Sequence, residues 1–410
     1  MNGDLLLYNG CVVTETHAIE NGYLLIDGGE IISYGEGPSN KKDCANAEVN
    51  LKIDCKSMYI VPGFIDIHTH GIMDVDFMES PAEKIVEGLN EYTRYGVTGV
   101  LGTTLSNPLY NILKQLKEFR KVREDKTFGN VLIGAHIEGP WLAPRCRGGH
   151  ALEYLVHPDR DDVERLLGEA GDIIKTVTFA PELNNSIWLA ERLTREGIIP
   201  VIGHTEATYE QTEAVIRAGA RHVTHMYDAL LSYKENPKEA LVMMPGVETS
   251  VVLHDEVSIE LIGCPIHVPK PFFRYINKVK PADKKIIVTD SLVGTGMKNG
   301  TILTCKDGRK VYVRDGVLRM IDDDPSINGN LTGSAVTMNL ALKRLVAYTG
   351  QPLPEALRWA TINPAKLLGL DQSKGSIKPG KDADIVVMDE NFNVKVTVLK
   401  GSIVYRSSDL

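Results

Sequence analysis

The sequence contains no CxxC pair, and its six cysteines (Cys11, Cys44, Cys55, Cys146, Cys264 and Cys305) are scattered along the chain. That spacing excludes a disulfide framework and reads as free thiols in a reducing compartment. No Lys/Arg-rich cluster with interleaved aromatics is present, and 54 acidic against 45 basic residues leave a net charge of -9. Neither nucleic acid nor an anionic membrane surface is expected as a partner. No uninterrupted apolar run reaches membrane-spanning length, and no charged-then-apolar signal segment opens the chain. These absences predict a cytoplasmic protein. The chain also lacks internal repeats and low-complexity linkers. What remains is 410 residues, 43% apolar and 24% charged, a globular composition long enough for an α/β barrel with an appendage.

Both ends of the chain read as short strands. Leu5–Tyr8, Gly22–Ile26, Glu30–Tyr34 and Val49–Asp54 alternate in polarity, with turn chemistry at Asn9-Gly10 and Asp27-Gly28-Gly29. Ala383–Asp389, Val394–Leu399 and Ser402–Tyr405 repeat the pattern, with Lys400-Gly401 as a turn. Either set alone has too little core to be stable. The two are therefore expected to combine as one small β-sandwich domain, residues 1–58 with 371–410, around an inserted middle, 59–370.

The middle alternates strands with amphipathic stretches, which predicts a parallel sheet. Strand candidates are Gly63–His68, Val97–Gly102, Val131–Ile137, Ile174–Phe179, Ile199–Ile202, His222–Thr224, Ile259–Ile262 and Lys285–Val288. Helical patterns separate them, at Ala82–Tyr95, Asn111–Val122, Asp161–Glu169, Asn185–Glu196 and Thr208–Ala218. Eight such units suit a TIM (β/α)8 barrel, whose reactive groups sit where strands end. Thr301–Met320 reads as a hairpin excursion, and Ser334–Tyr348 and Leu353–Leu368 as covering helices.

Polar residues gather at those strand ends. The first strand closes on His68-Thr69-His70, the third on His136-Ile137-Glu138, the fifth on His204, the sixth on His225 and the eighth on Asp290. Period-two alternation puts His68 and His70 on one face, and likewise His136 and Glu138. One such residue alone reads as a hydrogen-bonded structural group; five strands ending alike point to a metal site. Glu138, His204 and His225 would make a three-ligand centre with a position left for water, the catalytic pattern. Asp290 is then the candidate general base, with a direct ligand or a helix N-cap as its alternatives. His68 and His70 offer a second ion a place. No lysine stands at a strand end to form a bridging carbamate, so Glu138 is the candidate bridge for two ions. The expected cofactor is one or two divalent ions, zinc first, with iron and manganese as alternatives.

These motifs resemble the amidohydrolase superfamily and, within it, the N-acetylglucosamine-6-phosphate deacetylase family. VPGFIDIHTHG (61–71), HIEGPW (136–141), TFAPE (178–182), GHTEATY (203–209), THMYDAL (224–230), IHV (266–268), VTDS (288–291) and LTGSAVTM (331–338) occur in the family's order. GSIKPGKDADIVVMD (375–389) is similar to the superfamily's C-terminal strand pair. The resemblance implies metal ligation by Glu138, His204 and His225, Asp290 as the acid/base, and an HxH at His68 and His70 that only some members keep. His150, with Gly149 before it, matches a histidine facing the reacting carbonyl, against a surface-loop alternative. Asp228, Ala229, Cys264, His267, Leu331, Thr332 and Gly333 match substrate-contact segments. Implied too are a small-molecule amino sugar as substrate and a homodimer.

The chain departs from the family in two places. Asp228-Ala229-Leu230 stands where the family runs Asn-Ala-Met, and the SYKENPKEALVMMPG that follows has no arginine to reach a phosphate. Gly263-Cys264-Pro265 replaces the usual Ala-Asp-Gly before His267. Lys234, Lys238 or Lys270 are candidate replacements, although a lysine lacks the bidentate fork. The expected reaction is metal-dependent hydrolysis of an N-acetyl amino sugar's acetamide, with N-acetylglucosamine-6-phosphate as first candidate. Galactosamine-type or unphosphorylated sugars, and other N-acyl or cyclic amides, are the alternatives. A non-enzymatic sugar-binding barrel would require loss of the ligand set, which is intact.

Overall fold

The computed structural model describes residues 3–37, 49–232, 234–235, 238–304, 308, 310–325 and 328–409. Contacts divide the chain into a unit of Met1–Asp66, Asn90–Gly99 and Met338–Leu410, and a unit of Ile67–Leu89 and Val100–Thr337.

An eight-stranded parallel sheet runs in chain order, with its strands at Phe64–Thr69, Val97–Thr103, Leu132–Glu138, Ile174–Phe179, Ile199–Ile202, His222–Val223, Ser258–Ile262 and Lys285–Val288. This is the expected (β/α)8 barrel, and no strand boundary moves by more than one residue. Every residue of Phe64–Thr69 and Val97–Thr103 is buried. Such burial on both faces is the mark of parallel sheets covered by helices. Past the eighth strand, the Asp290 N–H donates to the His68 carbonyl at 2.9 Å, and the His70 N–H to Ser291 O at 2.8 Å. The two ends of the strand order meet there.

The intervening helices carry the caps their sequences call for. The Asp159 carboxylate accepts the N–H groups of Asp161 and Asp162 at the start of Arg160–Ala170. Thr208 and Gln211 form a capping box at Tyr209–Arg217. Each satisfies backbone donors that the first helical turn leaves without partners, worth about 1 kcal/mol apiece.

In the other unit, strands Gly3–Val13, Ala18–Asp27, Glu30–Glu36, Val49–Asp54 and Tyr59–Pro62 share one mixed sheet with Ile385–Met388, Val394–Leu399 and Ser402–Arg406. Leu5, Leu7, Leu24, Ile26, Ile385, Val387, Val396 and Val398 form its core. Asn9-Gly10 is not the turn expected: the first strand continues through it, with Asn9 at φ 56° and a register shift between Tyr8 and Gly10. The left-handed residue is absorbed as a bulge because the neighbouring pairs hold the strand straight.

Two further expectations change. The hairpin excursion is a four-stranded sheet, Ile302–Thr304, Lys310–Arg314, Val317–Ile321 and Leu331–Ser334. The helix expected over Leu353–Leu368 breaks into Leu353–Leu357, a short 3-10 turn and Ile362–Leu367. Pro364 explains the break, since it has no N–H for the Ala360 carbonyl and its ring clashes there. Cys11, Cys55, Cys146 and Cys264 are buried free thiols, whereas Cys44 and Cys305 lie outside the described residues.

Candidate metal centre

Three of the strand-end residues sit in backbone conformations that L-residues rarely adopt. His204 has φ 47°, His225 φ 21° and Asp290 φ 47°. A left-handed residue costs roughly 1 kcal/mol or more, so the surrounding packing must impose it. Just before His204, a Cβ on Gly203 would lie 2.0 Å from Thr224 Cγ2, so only glycine fits there. At His204 and His225 the side chains reach one point.

That point is Glu138, 2% exposed. Its Oε1 lies 3.1 Å from His204 Nε2, 3.0 Å from His225 Nε2 and 3.2 Å from His68 Nε2. Its Oε2 lies 3.2 Å from His70 Nε2 and 3.3 Å from His150 Nε2. Asp290 Oδ1 is 3.2 Å from His70 Nε2 and 3.4 Å from His68 Nε2. His68, His70, Glu138, His150, His204, His225 and Asp290 thus meet within a few ångströms, while His136 bonds to Thr178 Oγ1 at 2.7 Å.

The partners of the other ring nitrogens sort these histidines. His204 Nδ1 donates to Cys146 O at 2.8 Å and His225 Nδ1 to Asp228 O at 3.2 Å. Their Nε2 atoms, 3.0 Å apart, therefore point lone pairs at Glu138 and at each other. That arrangement calls for a positive charge between them. Ligand atoms about a tetrahedral cation stand roughly 3.3 Å apart for bonds of about 2.0–2.1 Å, close to the sides of this triangle. The donor set fits a divalent ion. His150 is different: its Nδ1 accepts the Ser106 N–H at 3.1 Å, so its proton sits on Nε2 and can be donated.

The electrostatics agree. Burial alone would raise the Glu138 carboxyl, but His68, His150, His204 and His225 hold it well below the ordinary range. Burial opposes ionisation of Asp290 too, yet His68, His70 and His225 bring it down to about 2. Against burial, Glu138 and Asp290 raise His70 and His225 to about 9, and Glu138, Glu260 and Asp290 together carry His68 well above its usual value. Burial dominates at His150, lowering it to about 4, and at His136, which falls well below its usual value. The buried negative charge that holds these protons is charge that a cation bound among the Nε2 atoms would balance in their place.

The substrate-segment residues fall around this cluster. Gly149 has nothing within 4 Å of a Cβ position. Asp228 supplies the carbonyl that holds His225, and Ala229 follows at φ 46°. Cys264 Sγ contacts His267 Nδ1 and accepts the His267 N–H at 3.3 Å. Burial would lower the His267 ring, but Cys264, Asp228 and Asp290 raise it. Leu331, Thr332 and Gly333 lie in a strand, and a bridge from Ser334 to Ser291 brings them beside Asp290. Lys238 and Lys270 are exposed; the Lys234 side chain lies outside the described residues. Sequence reasoning missed Glu260 and His222, both buried in the barrel. A lone Glu inside the apolar run Ser258–Ile262 was the available signal.

Fold and donor set define the class: barrel hydrolases that gather acidic and imidazole ligands at the C-terminal ends of their strands. The profile of the amidohydrolase family matches residues 59–404, and the chain belongs to that family. It is a hydrolase of carbon–nitrogen bonds other than peptide bonds. The chain is 30% identical over 412 residues to the N-acetylglucosamine-6-phosphate deacetylase of Bacillus subtilis (strain 168), covering 100% of this chain and 99% of that one. It is 28% identical over 346 residues to the N-acetylgalactosamine-6-phosphate deacetylase of Escherichia coli O157:H7, covering 84% and 87%. Among solved structures, the N-acetyl-D-glucosamine-6-phosphate deacetylase of Mycobacterium smegmatis, a mutant in complex with N-acetyl-D-glucosamine-6-phosphate, superposes with a TM-score of 0.84. Its identity is 27%, with 98% and 99% of the chains covered. The N-acetylglucosamine-6-phosphate deacetylase of Thermotoga maritima gives 0.81 at 28% identity, covering 98% and 100%.

Proposed function

We propose that the chain hydrolyses N-acetylglucosamine-6-phosphate to glucosamine-6-phosphate and acetate. The observation that carries this reading is the Glu138–His204–His225 triangle with Asp290 and His150 beside it, on a chain similar over its full length to such deacetylases. Glu138, His204 and His225 would hold a divalent ion, with His68 and His70 for a second. Zinc suits the donors best, and iron and manganese also fit. When bound, such an ion polarises a carbonyl and lowers the pKa of water toward ~7.

This chain's residues do the rest. Asp290, held ionised by the imidazoles around it, accepts the attacking water's proton and returns it to the departing amine. His150 donates an Nε2–H hydrogen bond to the acetamide oxygen as charge develops there, its neutral form secured by burial. His267 and Asp228, on segments next to the cluster, face the sugar, with Gly149, Ala229, Cys264 and Leu331–Gly333 lining its place. The test is acetate release from N-acetylglucosamine-6-phosphate, its galactosamine epimer and both unphosphorylated sugars. A second reading, the epimer, is favoured by the similarity to the Escherichia coli enzyme. No acetate from any of the four would refute both.

We keep the domain limits at 1–58 with 371–410 and at 59–370 as the sequence suggests them, although Tyr59–Pro62 pairs with Gly3–Val13 and Ile385–Met388 in the terminal sheet. A phosphorylated sugar substrate and buried thiols support a cytoplasmic enzyme. Exposed Leu241, Val242 and Met243 support a homodimer, which sedimentation would test.

A further inference from the structure

Two of the proposed ligands, His68 and His225, and two buried groups that the reaction above does not use, His222 and Thr224, converge on Glu260, in the seventh barrel strand. The residue is 1% exposed, and its carboxylate takes four donors. Oε1 accepts from His68 Nδ1 at 2.6 Å, Thr224 Oγ1 at 2.7 Å and the His225 N–H at 2.9 Å. Oε2 accepts from His222 Nε2 at 3.0 Å, whose Nδ1 lies 2.8 Å from Ser258 Oγ. Burying a carboxylate this deeply is costly unless its lone pairs are met and its charge is balanced.

We propose that Glu260 is the positioning residue that fixes His68 as a ligand and so gives the site its second cation position, formed by His68, His70 and Glu138. The inference rests on the metal-centre reading above. A carboxylate accepts only, so the short contact puts the His68 proton on Nδ1. Nε2 is left facing Glu138 Oε1 at 3.2 Å and Asp290 Oδ1 at 3.4 Å. His70 Nε2 stands 3.2 Å from Glu138 Oε2, so the two histidines meet opposite oxygens of Glu138, and Oε1 is shared with His204 and His225. A carboxylate behind a ligating imidazole sets its tautomer and raises its basicity. The same Oε1 holds the His225 backbone, which couples the two positions. Glu260 also adds the negative charge that a second dication requires.

The experiment loads the full chain with zinc, titrates the ions off with a chelator and counts metal per chain in wild type and Glu260→Gln. The expected result is two ions in wild type. In the variant, the ion at Glu138, His204 and His225 stays, and the other binds roughly 10–100-fold more weakly. A single ion in wild type, or equal affinities in both proteins, overturns the proposal. Should Glu260→Gln fail to fold, wild type labelled with 15N-histidine decides. A loaded protein whose His68 carries Nδ1–H and a metal-shifted Nε2 supports it; an Nε2–H form overturns it. Metal counts do not depend on substrate, so a protein that releases no acetate yet passes these tests sinks the hydrolysis reading and leaves this one standing.

Discussion

The Nε2 atoms of His204 and His225 face each other at 3.0 Å, while each ring commits its Nδ1 proton to a backbone carbonyl, Cys146 O and Asp228 O. Two imidazole lone pairs meet beside a buried carboxylate only if something positive lies between them. An ion that binds the folded chain and not the unfolded one stabilises it by mass action. Adding a divalent ion to chelator-treated protein should raise the melting temperature, and Glu138→Gln should abolish most of that rise. An equal rise in both proteins would remove Glu138 from the ligand set.

Asp290 touches the cluster from the rim, with its side chain 17% exposed where Glu138's is 2%. That placement suits proton traffic better than ion retention. Asp290→Asn should lower kcat by about 10²–10⁴-fold and leave at least the ion at Glu138, His204 and His225 in place. Wild-type turnover in the variant, or loss of all metal, would contradict the assigned role.

His150 stands apart among the clustered histidines because its Nδ1 receives a backbone N–H. It can only donate from Nε2, and should do so most strongly as charge builds on the substrate oxygen. His150→Asn is expected to cost about 10²–10³-fold in kcat with little change in KM. A pure KM effect would recast it as a substrate-orienting group.

Lys280 gives a pH prediction outside the site. It is 4% exposed and donates to Val251 O at 3.0 Å and His254 O at 2.7 Å. Burial lowers it from 10.5 to about 8. Between those values the unfolded chain holds the proton that the folded chain has released, so the slope of stability with pH is positive. The unfolding free energy of wild type relative to Lys280→Met should therefore rise from pH 8 to 10.5, by ~3 kcal/mol at about 1.4 kcal/mol per pKa unit. A flat or falling difference would show that Lys280 is not desolvated.

Much of this was readable from the chain alone, for reasons that particular residues make plain. His68, Glu138, His204, His225 and Asp290 stood out because each closes an apolar run of strand length with a ligating side chain. The barrel followed from the regular alternation around them. What escaped depends on partners distant in sequence. Leu331–Ser334 has no strand pattern of its own and becomes a strand by pairing with Val317–Ile321. Asn9-Gly10 has turn chemistry, which tertiary pairing overrides. Glu260 carries no local signal beyond being a lone charge in an apolar run, since its meaning lies in His68, 192 positions away.

The most direct test of the account is one assay: acetate release from N-acetylglucosamine-6-phosphate by wild-type protein stripped with chelator, then reloaded with zinc. The account predicts that stripping abolishes turnover and that the added ion restores it. Undiminished turnover in stripped protein, or none after loading, would contradict it.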